Sequence, residues 1–196
     1  MSGVGNGTFA TQVAGTSATD DTNFAATGAF NKDGRPDLLL SFRQADSAIG
    51  VLLGQGDGTF QPLVLYPAVP GTYGAAVADF NGDGKLDIVA AGNADTHFAL
   101  LTGNGNGTFN TAQLFETEFS GISIAAGDIN KDGKADVVIA NSFDSSVTYH
   151  PGNGNGTFGN RIWSQRLIPV QLRSRSPTLM RTRSSTSSPP TSSAMM

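Results

Sequence analysis

The chain has 196 residues, 25 of them glycine and none cysteine, and only 14% are charged. The lack of cysteine excludes a disulfide framework, a thiolate metal site and a thiol nucleophile. All 16 acidic residues lie between Asp20 and Asp144, so residues 1–160 carry a net −10 and the remainder, with six arginines, +6; an acidic body of that size argues against nucleic acid as a partner and suits cations.

Taken in chain order, the first element is a glycine turn, Gly3-Val4-Gly5-Asn6-Gly7-Thr8-Phe9. An acidic loop follows, Ala29-Phe30-Asn31-Lys32-Asp33-Gly34-Arg35-Pro36-Asp37, running straight into Leu38-Leu39-Leu40. A short apolar stretch, residues 49–53, leads to a second glycine turn, Gly54-Gln55-Gly56-Asp57-Gly58-Thr59-Phe60, and Leu63-Val64-Leu65-Tyr66 leaves it. The set then repeats. Ala75-Ala76-Val77-Ala78 precedes the loop Asp79-Phe80-Asn81-Gly82-Asp83-Gly84-Lys85-Leu86-Asp87, with apolar residues 88–91 after it. Residues 98–101 lead to the turn at 103–109. Residues 122–126 precede the third loop, Asp128-Ile129-Asn130-Lys131-Asp132-Gly133-Lys134-Ala135-Asp136, with 137–140 after it and a turn at 152–158.

The turn phenylalanines 9, 60, 109 and 158 are spaced 51, 49 and 49 residues apart, and the loops start 50 and 49 residues apart. Two independent motifs share one period. A period near 49 residues points to propeller blades or a solenoid. The apolar stretches are strand-length and bounded by turn residues, about four per repeat, and no segment keeps a 3.6-residue period over a helical length. Four antiparallel strands per repeat make a propeller blade. The expected fold is therefore all-β: a partial β-propeller of about three four-stranded blades over residues 1–160.

The loop spacing D-x-N-x-D-G-x-x-D suits calcium, a hard cation taking six to eight oxygens. Glycine at position 6 permits the sharp turn. The expected ligands are Asp79, Asn81, Asp83, the carbonyl of Lys85, and Asp87 in one loop. In the next they are Asp128, Asn130, Asp132, the carbonyl of Lys134, and Asp136. The earliest loop supplies Asn31, Asp33, the carbonyl of Arg35, and Asp37, but Ala29 removes its first carboxylate, so a weaker or empty site is expected there. An EF-hand is excluded, because Ala90 and Ile139 stand where it needs glutamate at position 12, and strands flank the loops. The competing interpretation is a set of Asx turns without metal. It does not require the acid at position 9 that all three copies carry. The expected Ca2+ affinity is on the order of 0.1–1 mM.

These loops, the period and the Gly-Asn-Gly-Thr-Phe turns resemble FG-GAP (VCBS-type) repeats, which build the seven-bladed propeller of the integrin α-subunit head and of many secreted bacterial proteins. The resemblance covers residues 3–160; loops 79–87 and 128–136 match fully, and 29–37 departs at its first position. It implies that calcium rigidifies hairpins at one end of the propeller while partners bind elsewhere. It also implies more blades in the whole propeller than the three or so found here.

After Trp163 the composition turns to Ser, Thr, Arg and Pro with no acidic residue, which reads as a disordered tail over 161–196. A one-nucleotide shift with GC-biased codons turns residues 176–190 into VADLNADALVDIVAA, another acidic loop and strand. Its first aspartate falls about 50 residues after Asp128. The tail is thus expected to be a frameshifted blade without a function of its own.

His97 and His150 stand at unrelated repeat positions without a nucleophile motif, and read as incidental. The turn phenylalanines read as packing anchors. Asn6, Asn106 and Asn155 head N-x-T sequences that Asn-Gly turn chemistry already explains. The glycine turns lack the Lys-Ser/Thr ending of a phosphate loop. No apolar run approaches the ~20 residues of a membrane span. Residues 1–5 lack the charged and apolar regions of a signal peptide, which points to an N-terminal truncation. The functional expectation is a non-catalytic, calcium-binding module for extracellular adhesion or recognition of a protein or glycan, secreted or at the cell surface. The alternatives are an accessory propeller of a secreted hydrolase and a propeller lectin. Three blades leave open faces and edges, so self-association or incomplete folding is expected.

Overall fold

The computed structural model describes residues 22–42, 47–117, 120–141 and 145–164. The first glycine turn and most of the expected tail lie outside these residues. The described residues form twelve strands and no helix, so none is long and apolar enough to cross a membrane as a helix.

Three four-stranded antiparallel sheets follow one another, each in meander order. The first contains β1 (Thr22–Gly28), β2 (Asp37–Phe42), β3 (Ala48–Leu52) and β4 (Val64–Pro67). The second contains β5 (Thr72–Ala78), β6 (Asp87–Gly92), β7 (His97–Leu101) and β8 (Gln113–Glu116). The third contains β9 (Gly121–Gly127), β10 (Asp136–Asn141), β11 (Val147–His150) and β12 (Ile162–Ser164), the last passing residue 160. In every blade the acidic loop joins the first two strands and the glycine turn the last two. β5 packs on β1 to one side and on β9 to the other, as the first strands of successive propeller blades do. The three blades form an open array.

The core lies between blades rather than within one. Ile88 and Ala90 of β6 join Leu39, Ile49, Val51 and Phe30 of the first blade in one apolar cluster. Val89 and Ala91, on the opposite face of the same strand, join Val137, Ile139 and Ile124 of the third. A strand with a partner on both faces must be apolar at every position, which explains why β6 reads as a continuous run and is buried throughout. Among the described residues β2 and β10 have a blade on one side only, and alternate. Leu38 and Leu40, then Val138 and Ala140, are only half-buried.

Two of the turn phenylalanines, Phe109 and Phe158, are inter-blade anchors. Phe109 sits edge-on to Phe30 and Tyr66 of the first blade, with ring centroids 5.5 and 5.4 Å away. Phe158 reaches Phe80, Phe98 and Phe115 of the second at 5.8, 5.0 and 5.0 Å.

Candidate metal-binding loops

In loop 79–87 the side chains at positions 1, 3 and 5 turn inward. Asp79 Oδ1 accepts from the amides of Gly82 and Asp83 at 2.7 and 3.2 Å, and its Oδ2 from Gly84 at 2.7 Å. Asn81 Oδ1 accepts from the same Asp83 amide at 3.0 Å, so the oxygens of positions 1 and 3 converge on one point. Asp83 Oδ1 accepts from the Lys85 amide at 2.9 Å. Loop 128–136 repeats the pattern: the Asp132 amide donates to Asp128 Oδ1 at 3.0 Å and to Asn130 Oδ1 at 2.9 Å. Loop 29–37 keeps the bonds from the Asp33 amide to Asn31 Oδ1 at 3.1 Å and from the Arg35 amide to Asp33 Oδ1 at 2.8 Å, and lacks those to position 1, because Ala29 has no side-chain oxygen.

The carboxylate at position 9 makes contacts of its own. Asp37, Asp87 and Asp136 are wholly buried. Asp87 Oδ2 accepts from the Phe80 amide at 2.9 Å and Oδ1 from the Gly103 amide at 2.8 Å. Asp37 holds Phe30 and Gly54 at 2.7 and 2.9 Å. Asp136 holds Ile129 and Gly152 at 2.9 and 2.8 Å. Each of these carboxylates therefore ties the start of its loop to the glycine turn of the same blade. One carboxylate satisfies two buried amides, and charge-assisted bonds of this kind are the strong ones.

The electrostatics differ between the two matching loops. Burial raises the Asp87 pKa against the pull of the Gly103 and Phe80 amides, and the charges of Asp83 and Asp79 push it further up. Burial pushes Asp136 up as well, but the Gly152, Ile129 and Asn130 amides and the Tyr149 hydroxyl, 2.9 Å away, outweigh it and hold the group low. The Lys85 ammonium, 3.0 Å from Asp83 Oδ2, is the first cause holding the Asp83 carboxyl below its usual range.

The expected ligands are thus sorted into two groups. Positions 1, 3 and 5 of loops 79–87 and 128–136 are together on an exposed loop, while position 9 faces the buried amides beneath it. Among the described residues no three Asp, Glu or His side chains cluster as a metal site. The converging pair is one carboxylate and one carboxamide, with the carboxylate of position 5 on the same loop; all are hard oxygen donors, which fits calcium in kind. The loop amides already occupy those oxygens and compete for them. Lys32 and Lys131 hold the left-handed conformation that glycine holds at the equivalent Gly82, a strain of roughly 1 kcal/mol each. Asn106 and Asn155 accept from the backbone and hydroxyl of Thr108 and Thr157, so their amide oxygens serve the turns.

His150 was not singled out by its sequence context. It pairs with Val137 as Leu101 pairs with Ile88 and Leu52 with Leu38, so it occupies a leucine slot in the blade register. It is 4% exposed, stands edge-on to Phe98 at 5.0 Å, and its Nε2 has no hydrogen-bond partner among the described residues. Burial, with the Arg161 charge, depresses its pKa to about 4. A histidine titrates near 6.5 when unfolded, so protonation favours the unfolded chain. Its stability contribution is complete above about pH 6.5 and is lost as pH falls toward 4. The span corresponds to about 3 kcal/mol. His150→Leu is expected to raise the urea midpoint at pH 7 and to flatten the loss of stability between pH 6.5 and 5. An unchanged pH profile would refute this account.

His150 also lines a groove of about 460 Å³ between the second and third blades, with Phe115, Glu116, Phe158, Asn160 and Arg161. The sequence carried one signal for these inter-blade features, the misfit between His150 and its repeat equivalents.

The sequence matches the family model described as FG-GAP-like repeat over residues 30–90 and 79–139, and the FG-GAP repeat model over residues 120–163. Among solved structures, the chain is similar to a lectin from Agrocybe aegerita described for specific recognition of non-reducing terminal N-acetylglucosamine. The TM-score is 0.51 at 22% identity, and the match covers 71% of this chain and 37% of the lectin. At that identity the likeness shows the fold. No curated protein matches the sequence.

Proposed function

This chain belongs to the FG-GAP-like repeat family, and from that premise we propose that it is a calcium-binding, non-catalytic propeller module of a secreted or cell-surface recognition protein. The observation that carries the proposal is the convergence of Asp79 with Asn81, and of Asp128 with Asn130, on a single amide in each loop. Asp79, Asn81, Asp83 and the Lys85 carbonyl would hold one ion, and Asp128, Asn130, Asp132 and the Lys134 carbonyl the other. Asp87 and Asp136 support each loop from below. The ion supplies positive charge against the mutual repulsion of these carboxylates, and so stiffens the hairpins. A propeller face then contacts a protein or glycan.

The melting temperature carries the test. Ten times the dissociation constant of calcium at two sites stabilises the fold by about 3 kcal/mol. For a chain of this size that raises the melting temperature by roughly 5 °C or more. Magnesium, which demands octahedral geometry, is expected to do less. The double variant Asp79→Asn, Asp128→Asn is expected to abolish the calcium shift. Coincident melts of the parent chain in 5 mM calcium and in chelator (a concentration on the order of ten times the expected affinity) would sink the proposal.

A second reading, glycan recognition, is favoured by the groove at His150, where Phe115 and Phe158 stand beside polar Asn160 and Arg161. The fold is shared with a lectin described for recognition of non-reducing terminal N-acetylglucosamine. Titration of the full chain with N-acetylglucosamine, followed by Trp163 fluorescence and calorimetry, separates this reading from protein recognition.

A further inference from the structure

Phe80 stands between Asp79 and Asn81, whose oxygens converge, and both of its peptide groups are pinned. Its amide donates to Asp87 Oδ2 at 2.9 Å, within its own blade. Its carbonyl accepts from the Gly156 amide at 2.9 Å, in the glycine turn of the next blade. The approach is close around this bond. A Cβ at Gly82 would lie 3.1 Å from the Gly154 carbonyl oxygen, and one at Gly156 would lie 3.6 Å from the Asn81 Cβ. Phe158 of the same turn packs on Phe80 with ring centroids 5.8 Å apart, and Gly156 and Phe80 are both buried. Positions 2, 3 and 4 of loop 79–87 therefore rest on turn 152–158.

That turn is fixed in its own blade by the third acidic loop. Asp136 holds the Gly152 amide with Oδ1 at 2.8 Å and the Ile129 amide with Oδ2 at 2.9 Å. Ile129 stands between Asp128 and Asn130 as Phe80 stands between Asp79 and Asn81. Within the turn, Gly152 pairs with Phe158 and the Asn153 amide donates to the Thr157 carbonyl at 3.0 Å, which ties Gly152 to Gly156. The contacts run without a gap from Ile129 through Asp136, Gly152 and Gly156 to Phe80 and Asp87. The boundary between the first two blades repeats them: Asp87 holds Gly103 at 2.8 Å, Gly107 donates to the Phe30 carbonyl at 3.1 Å, and Phe30 donates to Asp37 at 2.7 Å.

We infer that loops 79–87 and 128–136 are energetically coupled through turn 152–158, so that order in either one favours order in the other. Exposed loops open locally at less cost than the whole fold. When loop 128–136 opens, Asp136 loses one of the two amides that position it, the turn is seated less firmly, and the Phe80 carbonyl loses its partner. A coupling free energy is reciprocal, so the effect is equal in both directions. The consequence for calcium, which rests on the function proposed above, is positive cooperativity: the first ion partly orders the second loop, and the second ion meets a smaller ordering cost. The coupling itself is a property of the metal-free chain.

Amide hydrogen exchange of the full chain in chelator, followed residue by residue, provides the test. Asp128→Ala removes the acceptor of the Asp132 and Gly133 amides at an exposed position, so the core is untouched. It is expected to speed exchange of the Gly82, Asp83 and Gly84 amides, one blade away, by about fivefold or more. Asp79→Ala is expected to speed the Asp132 and Gly133 amides by the same factor. The Thr59 amide, held by Asp57 at 2.9 Å in an exposed turn of the first blade, is the control and is expected to be unchanged. Calorimetric titration with calcium is the second measurement. Asp128→Asn is expected to lose one site and to weaken the remaining one by that same factor. Two results would each overturn the inference: a substitution in one loop that leaves exchange in the other unchanged, or a Thr59 amide that accelerates as much as the opposite loop. A parent chain that binds no calcium counts against the function proposed above, and the exchange rates then still decide the coupling.

Discussion

Asp87→Ala is expected to destabilise the chain by about 3–6 kcal/mol, enough to unfold much of it at 25 °C. The carboxylate is completely buried and holds the amides of Phe80 and Gly103. Alanine leaves both donors buried without an acceptor, and each lost charge-assisted bond costs about 1.5–3 kcal/mol. The loss also unties the acidic loop from the glycine turn of its own blade, and through that turn loosens Phe109 in the first blade's apolar cluster. Asp87→Asn keeps the volume and one acceptor, and is expected to fall between parent and alanine. Asp83→Ala, at an exposed position of the same loop, is the control and is expected to cost less than about 1 kcal/mol without calcium. Urea unfolding followed by circular dichroism gives the comparison. If Asp87→Ala and Asp83→Ala unfold at the same midpoint, Asp87 is not a structural tie.

Gly103→Ala is the second large effect, at about 3 kcal/mol or more. A Cβ at this position would collide with the carbonyl oxygen of Leu86, which is backbone and cannot swing aside. Relief requires the turn to move off Asp87, which breaks the bond from the Gly103 amide. Gly84 is the informative contrast. Its φ is +75° and a Cβ there meets nothing within 4 Å, so Gly84→Ala carries only the left-handed penalty of about 1 kcal/mol. The two substitutions add the same methyl group. Equal costs would mean that the close approach at Gly103 relaxes freely.

Much of the fold was legible in the sequence because its signals are local. Turn chemistry at Gly54–Phe60 and its copies, and the apolar runs after each loop, mark strands and blades from residues adjacent in the chain. β1 was less visible. Thr22–Gly28 offers only the weak run Phe24-Ala25-Ala26, and it forms a strand because Leu38, Leu39 and Leu40 of β2 are there to pair with it. β12, only three residues long, depends in the same way on β11.

The candidate site divides similarly. Positions 1, 3 and 5 of the loops are close in sequence, and in loops 79–87 and 128–136 the oxygens of positions 1 and 3 accept from one amide. Position 9 belongs to the same spacing, yet its oxygens face two amides, one of them 16 residues away at Gly103. Nothing local distinguishes a carboxylate that faces a cation from one that ties two turns together.

What the sequence by itself determined is the repeat: its period, its four strands and its oxygen-rich loops. These follow from turn geometry and alternation, which act over a few residues. Only the tertiary structure decided that Asp37, Asp87 and Asp136 are buried ties, that His150 fills a leucine slot, and that the Gly107 and Gly156 amides bond to the Phe30 and Phe80 carbonyls of the blade before. Those outcomes depend on which residues the sheets bring face to face, and burial and hydrogen bonding are assigned only after that packing is complete.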